Sequence, residues 1–333
     1  MKAIFLCEKP KDVRRVFGAE FYGLTRGKVA LSETVFRKED VLRDPTFFSD
    51  VEVIFSTWGM PCFSEEEIAL CFPRLQCVFY AAGTVRAFAR PFLRSGVRVF
   101  SAWAANGIPV AEYTVSQILL ANKGFFTEMQ LMSAGNPDAA KKRRNASCGN
   151  YGASVGIIGC GMIGSLVAEM LKRYELRVMA FDPFLSDARA ETLGVTKCTL
   201  EALFSECQVV SNHLANNAET VGMLRYAHFA SMPDYATFLN TGRGAQVVEA
   251  DLIRALSERP DLTAVLDVTY PEPPEEGSPF YALPNCFLTP HVAGSIGDEV
   301  RRMGKYAAEE FLRFSAGEWC PYEVSEEMLA IMA

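Results

Sequence analysis

The chain contains very few histidines. Only three occur among its 333 residues: His213, His228 and His291. Histidine is the side chain whose ordinary pKa lies closest to neutral pH, so this scarcity restricts the residues that could transfer a proton there. His228 lies in the pattern of a polar-faced helix and is predicted to be structural. His213 and His291 each follow a strand-like apolar run, although a structural role for His213 fits the pattern equally well.

Apolar runs long enough to cross a membrane are also lacking. No stretch approaches the ~18 apolar residues that a transmembrane helix requires, and Met1–Pro10 lacks the layout of a signal peptide. Basic residues number 33 against 40 acidic ones, which gives a net charge of −7. Such a chain repels nucleic acid phosphates on average. We therefore expect a cytoplasmic protein that binds neither a membrane nor nucleic acid.

The cysteines show no pattern of metal ligands or disulfides. Ten are present, none of them in a Cys-x-x-Cys pair, and most lie within apolar stretches. Zinc sites and disulfide-rich scaffolds are recognised by close, regular cysteine spacings. We expect reduced thiols in the core and no metal site.

The most informative motif in the sequence is the run Val155–Gly164, VGIIGCGMIG. An apolar stretch leads into Gly159, Gly161 and Gly164, spaced as G-x-G-x-x-G, and a helical pattern follows at once. In a dinucleotide-binding turn the first glycine permits the tight turn, and the second lets a pyrophosphate approach the backbone. The third lets helix and strand pack closely. The flanking strand and helix favour a dinucleotide site over an ordinary glycine-rich turn.

An acidic residue indicates which dinucleotide is bound. About 20 residues after the glycines, a second strand-like run, Val178–Phe181, ends on Asp182. A carboxylate at this place accepts hydrogen bonds from a ribose 2′-hydroxyl and repels a 2′-phosphate. The sequence therefore predicts NAD rather than NADP.

The position of the motif near the middle of the chain predicts two domains. Short apolar runs alternate with helical patterns on both sides of it, as in parallel sheets covered by helices. The strand-like runs are Ala3–Cys7, Val51–Phe55, Cys77–Tyr80, Val97–Phe100, Ser154–Ile158, Arg177–Asp182, Cys207–His213, Thr237–Asn240, Leu262–Val268 and Cys286–Leu288. We predict an α/β protein with two doubly wound parallel-sheet domains. A Rossmann NAD-binding domain, residues 107–291, is inserted into a flavodoxin-like domain made of residues 1–106 and 292–333.

Four further segments are assigned from their residue patterns. Pro109–Met132 predicts one long amphipathic helix, and Thr220–Ala227 predicts a short helix. Gly135–Gly152 is polar and basic, which indicates a surface loop. Arg301–Phe314 predicts an amphipathic helix that returns to the first domain.

Side chains suited to catalysis follow the last three predicted strands. Arg243 lies on a glycine-flanked loop, Asp267 and Glu272 follow the next strand, and His291 follows the last one. Because the carboxyl ends of parallel strands meet at one edge of a sheet, we expect these four side chains to be neighbours. Taken singly, Arg243 could form an ordinary surface ion pair, and Glu272 could be an ordinary loop acid. Their joint occurrence favours a site.

The chemistry of this set is that of hydride transfer between a nicotinamide and a hydroxy acid. A histidine can give a proton to the ketone or take one from the alcohol, and a carboxylate beside it fixes the ring and stabilises its charged form. Glu272 and His291 would form that pair. A guanidinium offers two parallel donors to a substrate carboxylate, which is the role predicted for Arg243.

Several segments resemble the D-isomer-specific 2-hydroxyacid dehydrogenase family, which includes phosphoglycerate, D-lactate and glycerate dehydrogenases. The likeness covers essentially the whole chain. It rests on Tyr80–Val85, Ile108–Thr114, Asn240–Glu258, Leu266–Pro273 and Leu283–Ser295. It implies an NAD-dependent enzyme that interconverts a 2-keto acid and a D-2-hydroxy acid, with residues 1–106 and 292–333 as the substrate domain. It also implies a homodimer.

The resemblance also assigns individual residues. The catalytic residues are Arg243, Glu272 and His291, with Glu272 supporting His291. The cofactor-binding residues are Gly159, Gly161, Met162, Ile163, Gly164, Asp182, His213, Thr241 and Asp267. The substrate-binding residues are Gly83, Thr84 and again Arg243. Where relatives often have an arginine or asparagine after the second glycine, this chain has Met162, so one phosphate contact is missing.

Three alternatives stay open at the level of the sequence. The same residues could oxidise another small anion, such as phosphite. The chain could instead be an NAD(H)-sensing binding protein of the corepressor type, although the complete set of catalytic residue types favours an enzyme. Finally, Trp58 and Trp103 either shape the pocket for the substrate side chain or simply pack in the core.

Overall fold

In the computed structural model, which describes residues 1–330, thirteen strands form two separate sheets. The strands are β1 (Lys2–Leu6), β2 (Ala30–Phe36), β3 (Val53–Ser56), β4 (Cys77–Tyr80), β5 (Arg98–Ser101), β6 (Ser154–Ile158), β7 (Arg177–Phe181), β8 (Thr196–Lys197), β9 (Val209–Asn212), β10 (Thr237–Asn240), β11 (Thr263–Leu266), β12 (Cys286–Leu288) and β13 (Glu323–Val324). Six of them are buried along their whole length: β3, β4, β6, β9, β10 and β11. Burial on both faces is expected for parallel strands that are covered by helices on each side.

Helices occupy most of the connections between these strands. They are α1 (Pro10–Val16), α2 (Ala19–Thr25), α3 (Lys38–Arg43), α4 (Glu65–Cys71), α5 (Ala89–Arg94), α6 (Trp103–Asn122), α7 (Phe125–Ser133), α8 (Pro137–Ala146), α9 (Met162–Leu171), α10 (Asp187–Leu193), α11 (Leu200–Glu206), α12 (Tyr226–Ala230), α13 (Glu249–Glu258) and α14 (Val300–Ala316). Short 3-10 turns lie at Pro45–Phe48, Gly244–Gln246, Pro279–Tyr281, Gly297–Glu299 and Met328–Ala330.

Each sheet has the strand order of its predicted fold type. The six-stranded sheet runs β13-β5-β4-β3-β1-β2, and its parallel part has the flavodoxin-like order, with only β13 antiparallel. The seven-stranded sheet runs β12-β11-β10-β9-β6-β7-β8 and is parallel throughout. Counted from β6, that is the Rossmann order, in which the first strand lies at the centre. The predicted fold class is confirmed.

The chain divides into two compact units. The first contains Met1–Gly107 and the chain from Ser295 onward, and the second contains Ile108–Gly294. The first division therefore falls within α6, one residue after the predicted boundary at 106/107. The second falls three residues after the predicted boundary at 291/292. Each sheet belongs to one unit.

Aromatic rings fill much of the core of the first unit. Phe79 lies between Phe55 and Phe100, with ring centroids 5.4 and 4.6 Å away. Phe311 of α14 meets the edge of this stack, 5.8 Å from Phe79. The buried residues of α14 recur every three or four positions, so one face of this helix covers the sheet, as its sequence pattern predicted.

The segment Gly135–Gly152 is not the surface loop that its charge suggested. Residues Pro137–Ala146 form α8, which begins where the Asn136 side chain accepts a hydrogen bond from the N–H of Ala139. Arg143 points inward and is only 6% exposed. Its guanidinium donates to the carbonyl of Tyr235 at 3.1 Å and to Ser147 Oγ at 3.0 Å. A capped, proline-initiated helix explains the polar sequence better than a loop.

Two predicted helices were also wrong in extent or place. The long helix predicted over Pro109–Met132 is interrupted at Gly124, where φ is +69° and a side chain would collide with Ser147 Oγ. The helix predicted over Thr220–Ala227 is a turn followed by α12. The strands β2, β8 and β13 were not predicted, because β2 is a half-exposed edge strand and the other two have only two residues each.

Residues 1–330 include no helix that combines the length and apolar character needed to cross a bilayer. In the same range, no three histidine, cysteine or acidic side chains converge as metal ligands. All ten cysteines are free thiols; six of them are buried, and Cys62 and Cys148 are exposed.

Candidate active site

The three glycines of the central motif have the geometry that a dinucleotide turn requires. Gly159 has φ +87°, and a side chain there would lie 2.9 Å from the carbonyl oxygen of His213. A side chain at Gly164 would collide with the carbonyl oxygen of Gly159, so helix α9 and strand β6 pack closely through this position. At Gly161 a methyl group would meet no atom within 4 Å. The turn therefore leaves open space beside Gly161.

Helix α9 begins directly after this open space. Gly161 is its N-cap, and no side chain caps the helix. The first N–H groups of a helix, here those of Met162 and Ile163, have no carbonyl partner within the helix. They carry the positive end of the helix dipole and are available to an anion such as a pyrophosphate.

Asp182 lies at the carboxyl end of β7 and is hydrogen-bonded to the glycine turn. Its Oδ2 accepts the N–H of Cys160 at 2.7 Å, and its Oδ1 accepts the N–H of Phe184 at 2.8 Å. A carboxylate has about four acceptor positions, so each oxygen retains one for a ribose hydroxyl. The structure thus brings Asp182 to the turn, as the NAD prediction requires.

His213 follows β9 and lies against the same turn. Burial lowers the pKa of its ring to about 4, so the imidazole is neutral at pH 7. Its Nε2 lies 2.8 Å from Ser211 Oγ, while Nδ1 is buried and has no hydrogen-bond partner in the described part of the chain. A buried polar atom without a partner is costly, and a polar group of a bound molecule could satisfy it. Together with the open space at Gly161, this atom shows that the residues present fit a dinucleotide.

His291 and Glu272 form a direct pair at the carboxyl edge of the same sheet. His291 Nδ1 lies 2.6 Å from Glu272 Oε1, and the two side chains are 49% and 40% exposed. The Tyr270–Pro271 and Glu272–Pro273 bonds on either side of the acid are both cis. The structure therefore brings together the two residues that the sequence predicted as an acid–base pair.

Asp267 fixes the segment that carries His291. Its carboxylate is buried and accepts three hydrogen bonds, from Thr289 Oγ1 at 2.6 Å, Val292 N at 2.8 Å and Ala293 N at 2.9 Å. His291 has φ +54°, a left-handed conformation that is unfavourable for a residue with a side chain. The bonds on both sides of His291 hold it in that conformation. The predicted role of Asp267 towards the cofactor stays a prediction.

Arg243 lies on the neighbouring turn after β10. Burial lowers the pKa of its guanidinium from the ordinary value, and the nearby negative charge of Glu272 opposes this shift. Arg243 Nη1 donates to the carbonyl of Gly242 at 2.8 Å. A side chain at Gly244 would collide with the backbone of Thr269, so the Arg243 turn packs directly on the segment that leads to Glu272. Arg243, Glu272 and His291 thus belong to one cluster.

Helix α6 is attached to both of these loops. Thr114 Oγ1 lies 3.1 Å from Thr241 Oγ1, beside the Arg243 turn. Tyr113 Oη lies 3.2 Å from Thr289 Oγ1, which in turn donates to Asp267. Thr241 was predicted to bind the cofactor, and in this structure its hydroxyl contacts Thr114 of α6.

Sequence reasoning missed three buried amide side chains beneath the Arg243 turn, those of Asn212, Asn240 and Gln246. Each is at most 1% exposed. Asn212 and Asn240 are the last residues of β9 and β10. A polar side chain at the end of a buried strand is the signal that could have identified them, since strand ends of this fold line ligand sites.

The predicted substrate residues Gly83 and Thr84 belong to the first unit, in the turn after β4. Ser101 Oγ donates to the carbonyl of Gly83 at 2.5 Å, and Thr84 is exposed. In the same unit, Trp58 packs against the core and its carbonyl accepts the Cys7 thiol at 3.1 Å. Trp103 meets the ring of Tyr322 edge-on at 5.8 Å. Both tryptophans thus have packing contacts of their own.

His228 has the structural role that was predicted for it. Its Nδ1 accepts the N–H of Arg225 at 3.1 Å, at the start of α12, and its ring lies 5.2 Å from that of Phe204. Burial lowers the pKa of this histidine.

The chain matches one family model over residues 115–293, described as the NAD binding domain of D-isomer specific 2-hydroxyacid dehydrogenases. Two similar relatives are a D-3-phosphoglycerate dehydrogenase of Archaeoglobus fulgidus and a glyoxylate reductase of Korarchaeum cryptofilum. The first is 30% identical over 67% of this chain and 42% of its own length. The second is 33% identical over 54% of each chain. The chain therefore spans about half the length of these curated relatives.

Solved structures show the same fold. The NAD-complexed form of a D-isomer specific 2-hydroxyacid dehydrogenase from Lactobacillus delbrueckii ssp. bulgaricus is similar, with a TM-score of 0.79. The match has 19% sequence identity and covers 98% of this chain and 100% of that one. The matched family domain contains the glycine turn, Asp182 and the Arg243, Glu272 and His291 cluster. The chain therefore belongs to the D-isomer specific 2-hydroxyacid dehydrogenase family and has that family's NAD-binding domain.

Proposed function

We propose that this protein is an NAD-dependent oxidoreductase that interconverts a 2-keto acid and a D-2-hydroxy acid. The observation that carries the proposal is the 2.6 Å contact between His291 Nδ1 and Glu272 Oε1, at the carboxyl edge of an NAD-binding sheet. An imidazole paired with a carboxylate is suited to proton transfer, and the half-buried Arg243 beside it is suited to binding a carboxylate.

The glycine turn would hold the cofactor. Gly159, Gly161 and Gly164 would let the pyrophosphate approach the N–H groups of Met162 and Ile163, and Asp182 would accept the ribose hydroxyl. His213 and Thr241 would line the cofactor site, and Asp267 would bond the carboxamide of the nicotinamide. When bound, NAD(H) supplies the hydride chemistry of the reaction.

In the direction of reduction, His291 would be the proton donor. Glu272 accepts the Nδ1–H of the ring, so Nε2 carries the proton that passes to the ketone oxygen of the substrate. After the transfer the ring is neutral and keeps its Nδ1–H bond to Glu272. In the reverse direction Nε2 accepts the proton of the hydroxyl group, since the same pair works both ways.

Arg243 would bind the substrate carboxylate and polarise the adjacent carbonyl group. Its guanidinium offers two parallel donors, and partial burial strengthens charge-assisted hydrogen bonds by excluding water. The backbone at Gly83 and Thr84 is the second proposed partner of the substrate carboxylate. Relatives are named for phosphoglycerate and glyoxylate, which differ widely in size, so we propose the reaction class rather than one acid.

We propose further that the protein forms a homodimer through helix α7. None of the residues of α7 is buried within the chain, and Phe125, Met129 and Met132 are 40%, 48% and 58% exposed. A contiguous exposed apolar face of this kind marks an association surface.

Replacement of His291, the proposed acid–base residue, should strongly reduce turnover while leaving the cofactor bound. His291→Ala should lower kcat for reduction of a 2-keto acid by roughly 10²- to 10⁴-fold, because the proton donor is gone. Arg243→Ala should do comparable damage, lowering kcat/KM by roughly 10²- to 10³-fold with a strong rise in KM for the acid, because a charged donor to the substrate is lost. Both are checked by NADH oxidation across a panel of 2-keto acids, with NADH affinity from fluorescence. The matched control is His228→Ala, which should keep full activity.

Near-normal turnover in either variant would contradict the assignment. If the wild-type protein binds NADH tightly but reduces no acid in the panel, the sensor alternative is favoured instead. Turnover of phosphite with NAD, without turnover of any 2-keto acid, would favour the inorganic substrate.

Glu272→Gln keeps a hydrogen-bond acceptor beside His291 but removes the negative charge that lies 2.6 Å from its Nδ1. Because a carboxylate fixes the ring and stabilises its charged form better than a neutral amide does, we expect kcat/KM for ketone reduction to fall roughly tenfold or more. The measurement is steady-state kcat/KM for a 2-keto acid. A value equal to that of the wild type would show that the two residues do not act as a pair.

Gly161→Ala should fold normally but bind NADH more weakly. The added methyl group meets no protein atom within 4 Å, so it occupies only the space proposed for the pyrophosphate. We expect the dissociation constant to rise about tenfold, which corresponds to ~1.4 kcal/mol. Gly23→Ala is the control, since Gly23 has equally open surroundings and lies on α2 of the first unit. Unchanged NADH affinity in Gly161→Ala would place the cofactor elsewhere.

Met129→Glu should convert the dimer into a monomer, because it places a charge on the apolar face of α7. Light scattering after size-exclusion chromatography measures the mass directly. The control is Leu70→Glu, a substitution of a 64% exposed leucine on α4 that should leave the dimer intact. A monomeric wild-type protein would refute the proposed association.

A further inference from the structure

The amide side chains of Asn212, Asn240 and Gln246 form a buried cluster beneath the Arg243 turn. They come from the ends of β9 and β10 and from the 3-10 turn that follows Arg243. Their side chains are excluded from water, with exposures of 0%, 1% and 0%. A buried amide is costly unless it is hydrogen-bonded, so three of them in contact require a structural or functional reason.

The cluster holds both main-chain groups of Arg243. The N–H of Arg243 donates to Gln246 Oε1 at 3.3 Å, and its carbonyl oxygen accepts from Asn240 Nδ2 at 3.2 Å. The N–H of the preceding residue, Gly242, donates to Asn240 Oδ1 at 3.1 Å. The carbonyl of Arg243 also accepts the N–H of Gln246, at 3.5 Å, where the 3-10 turn begins. The two amide side chains therefore supply the shorter hydrogen bonds to the main chain of Arg243.

The two amides that hold Arg243 are themselves joined by the third. Asn212 Nδ2 donates to Asn240 Oδ1 at 3.0 Å and to Gln246 Oε1 at 2.6 Å. Gln246 Nε2 uses its two hydrogens on the carbonyls of Leu214 and Ala215, at 2.7 and 3.0 Å. The amide group of Gln246 is thus fully engaged, and it ties the Arg243 turn to the segment that contains His213.

Arg243 needs such support because its neighbours cannot provide it. Gly242 and Gly244 flank it, and glycine has the greatest backbone freedom of any residue. A guanidinium that binds a carboxylate with two parallel bonds must be correctly oriented as well as correctly placed. A displacement of about 1 Å at such a group can reduce the rate about 100-fold.

We propose that the Asn212–Asn240–Gln246 cluster positions Arg243, and that Gln246 is a positioning residue for recognition of the substrate carboxylate. The inference rests on the proposed function, in which Arg243 binds that carboxylate. Gln246 acts through the main chain of Arg243 and does not itself contact the substrate.

The test replaces Gln246 with methionine, which has a similar length and shape but no hydrogen-bonding amide. In Gln246→Met we expect KM for the 2-keto acid to rise and kcat/KM to fall roughly 10- to 100-fold. KM for NADH should rise less than KM for the acid, because Gln246 makes no hydrogen bond to the glycine turn and reaches the His213 segment only through the carbonyls of Leu214 and Ala215. The affinity for oxamate in the presence of NADH, measured by calorimetry, should fall in parallel with kcat/KM.

A double-mutant cycle shows whether Gln246 acts through Arg243. In the Arg243→Ala background, Gln246→Met should change kcat/KM by less than about twofold, because there is no longer a guanidinium to position. An equal loss in both backgrounds would overturn the proposal.

The second variant is Asn240→Asp, which keeps the acceptor for Gly242 but removes the donor to the Arg243 carbonyl. It should raise KM for the acid in the same way, and an unchanged KM would count against the cluster.

The matched control is Asn285→Leu. Asn285 is also a buried amide of this unit, and its Nδ2 donates to the carbonyls of Leu256 and Leu262. It comes directly before β12, so it lies at the amino ends of the parallel strands, away from Arg243 at their carboxyl ends. This variant should lose thermal stability without any change in KM for the acid. If Gln246→Met behaves like Asn285→Leu, the cluster is merely structural.

A crystal structure of Gln246→Met separates this inference from the proposed function. Main-chain torsion angles of Arg243 that match those of the wild type would overturn the inference, whatever the activity. If instead the wild-type protein reduces no 2-keto acid but Arg243 is displaced in the variant, the proposed function fails while the cluster still positions Arg243.

Discussion

The buried carboxylate of Asp267 is the group on which the geometry of the site depends. It accepts three hydrogen bonds from the segment around His291, two of them from main-chain N–H groups. His291 lies in the left-handed region, a conformation that costs of order 1–3 kcal/mol where nothing stabilises it. The bonds to Asp267 offset that cost, and the imidazole is thereby held against Glu272. Glu272 and His291 become a pair because a second carboxylate, that of Asp267, fixes the backbone around His291.

Close approaches of backbone segments bring the remaining parts of the site together. Gly164 packs on the carbonyl of Gly159, and Gly244 packs on the backbone of Thr269. At both positions any side chain would force the two segments apart. The first contact shapes the turn proposed for the pyrophosphate, and the second places Arg243 beside the segment that leads to Glu272. The chemistry of the site therefore depends on residues that carry no functional group.

The described parts of the two units contribute differently to the proposed reaction. The glycine turn, Asp182 and the Arg243, Glu272 and His291 cluster all lie in the second unit, which contains the matched family domain. The first unit contributes Gly83 and Thr84, in a turn after β4. The residues proposed for cofactor binding and for proton transfer thus lie along one sheet edge. Selection among acids is assigned to a different part of the chain, in keeping with relatives that are named for different acids.

The sequence by itself determined the two parallel sheets, the dinucleotide turn and the residue types of the candidate site, because these depend on short-range spacing and on residues at strand ends. Only the tertiary structure decided the contacts made by distant segments. Charge alone suggested a loop around Arg143, whereas burial against Tyr235 stabilises a helix there. The amide cluster under Arg243 joins residues up to 34 positions apart, and no local pattern encodes that distance. Local sequence can specify which groups are present, but hydrogen bonds between separate strands specify where they point.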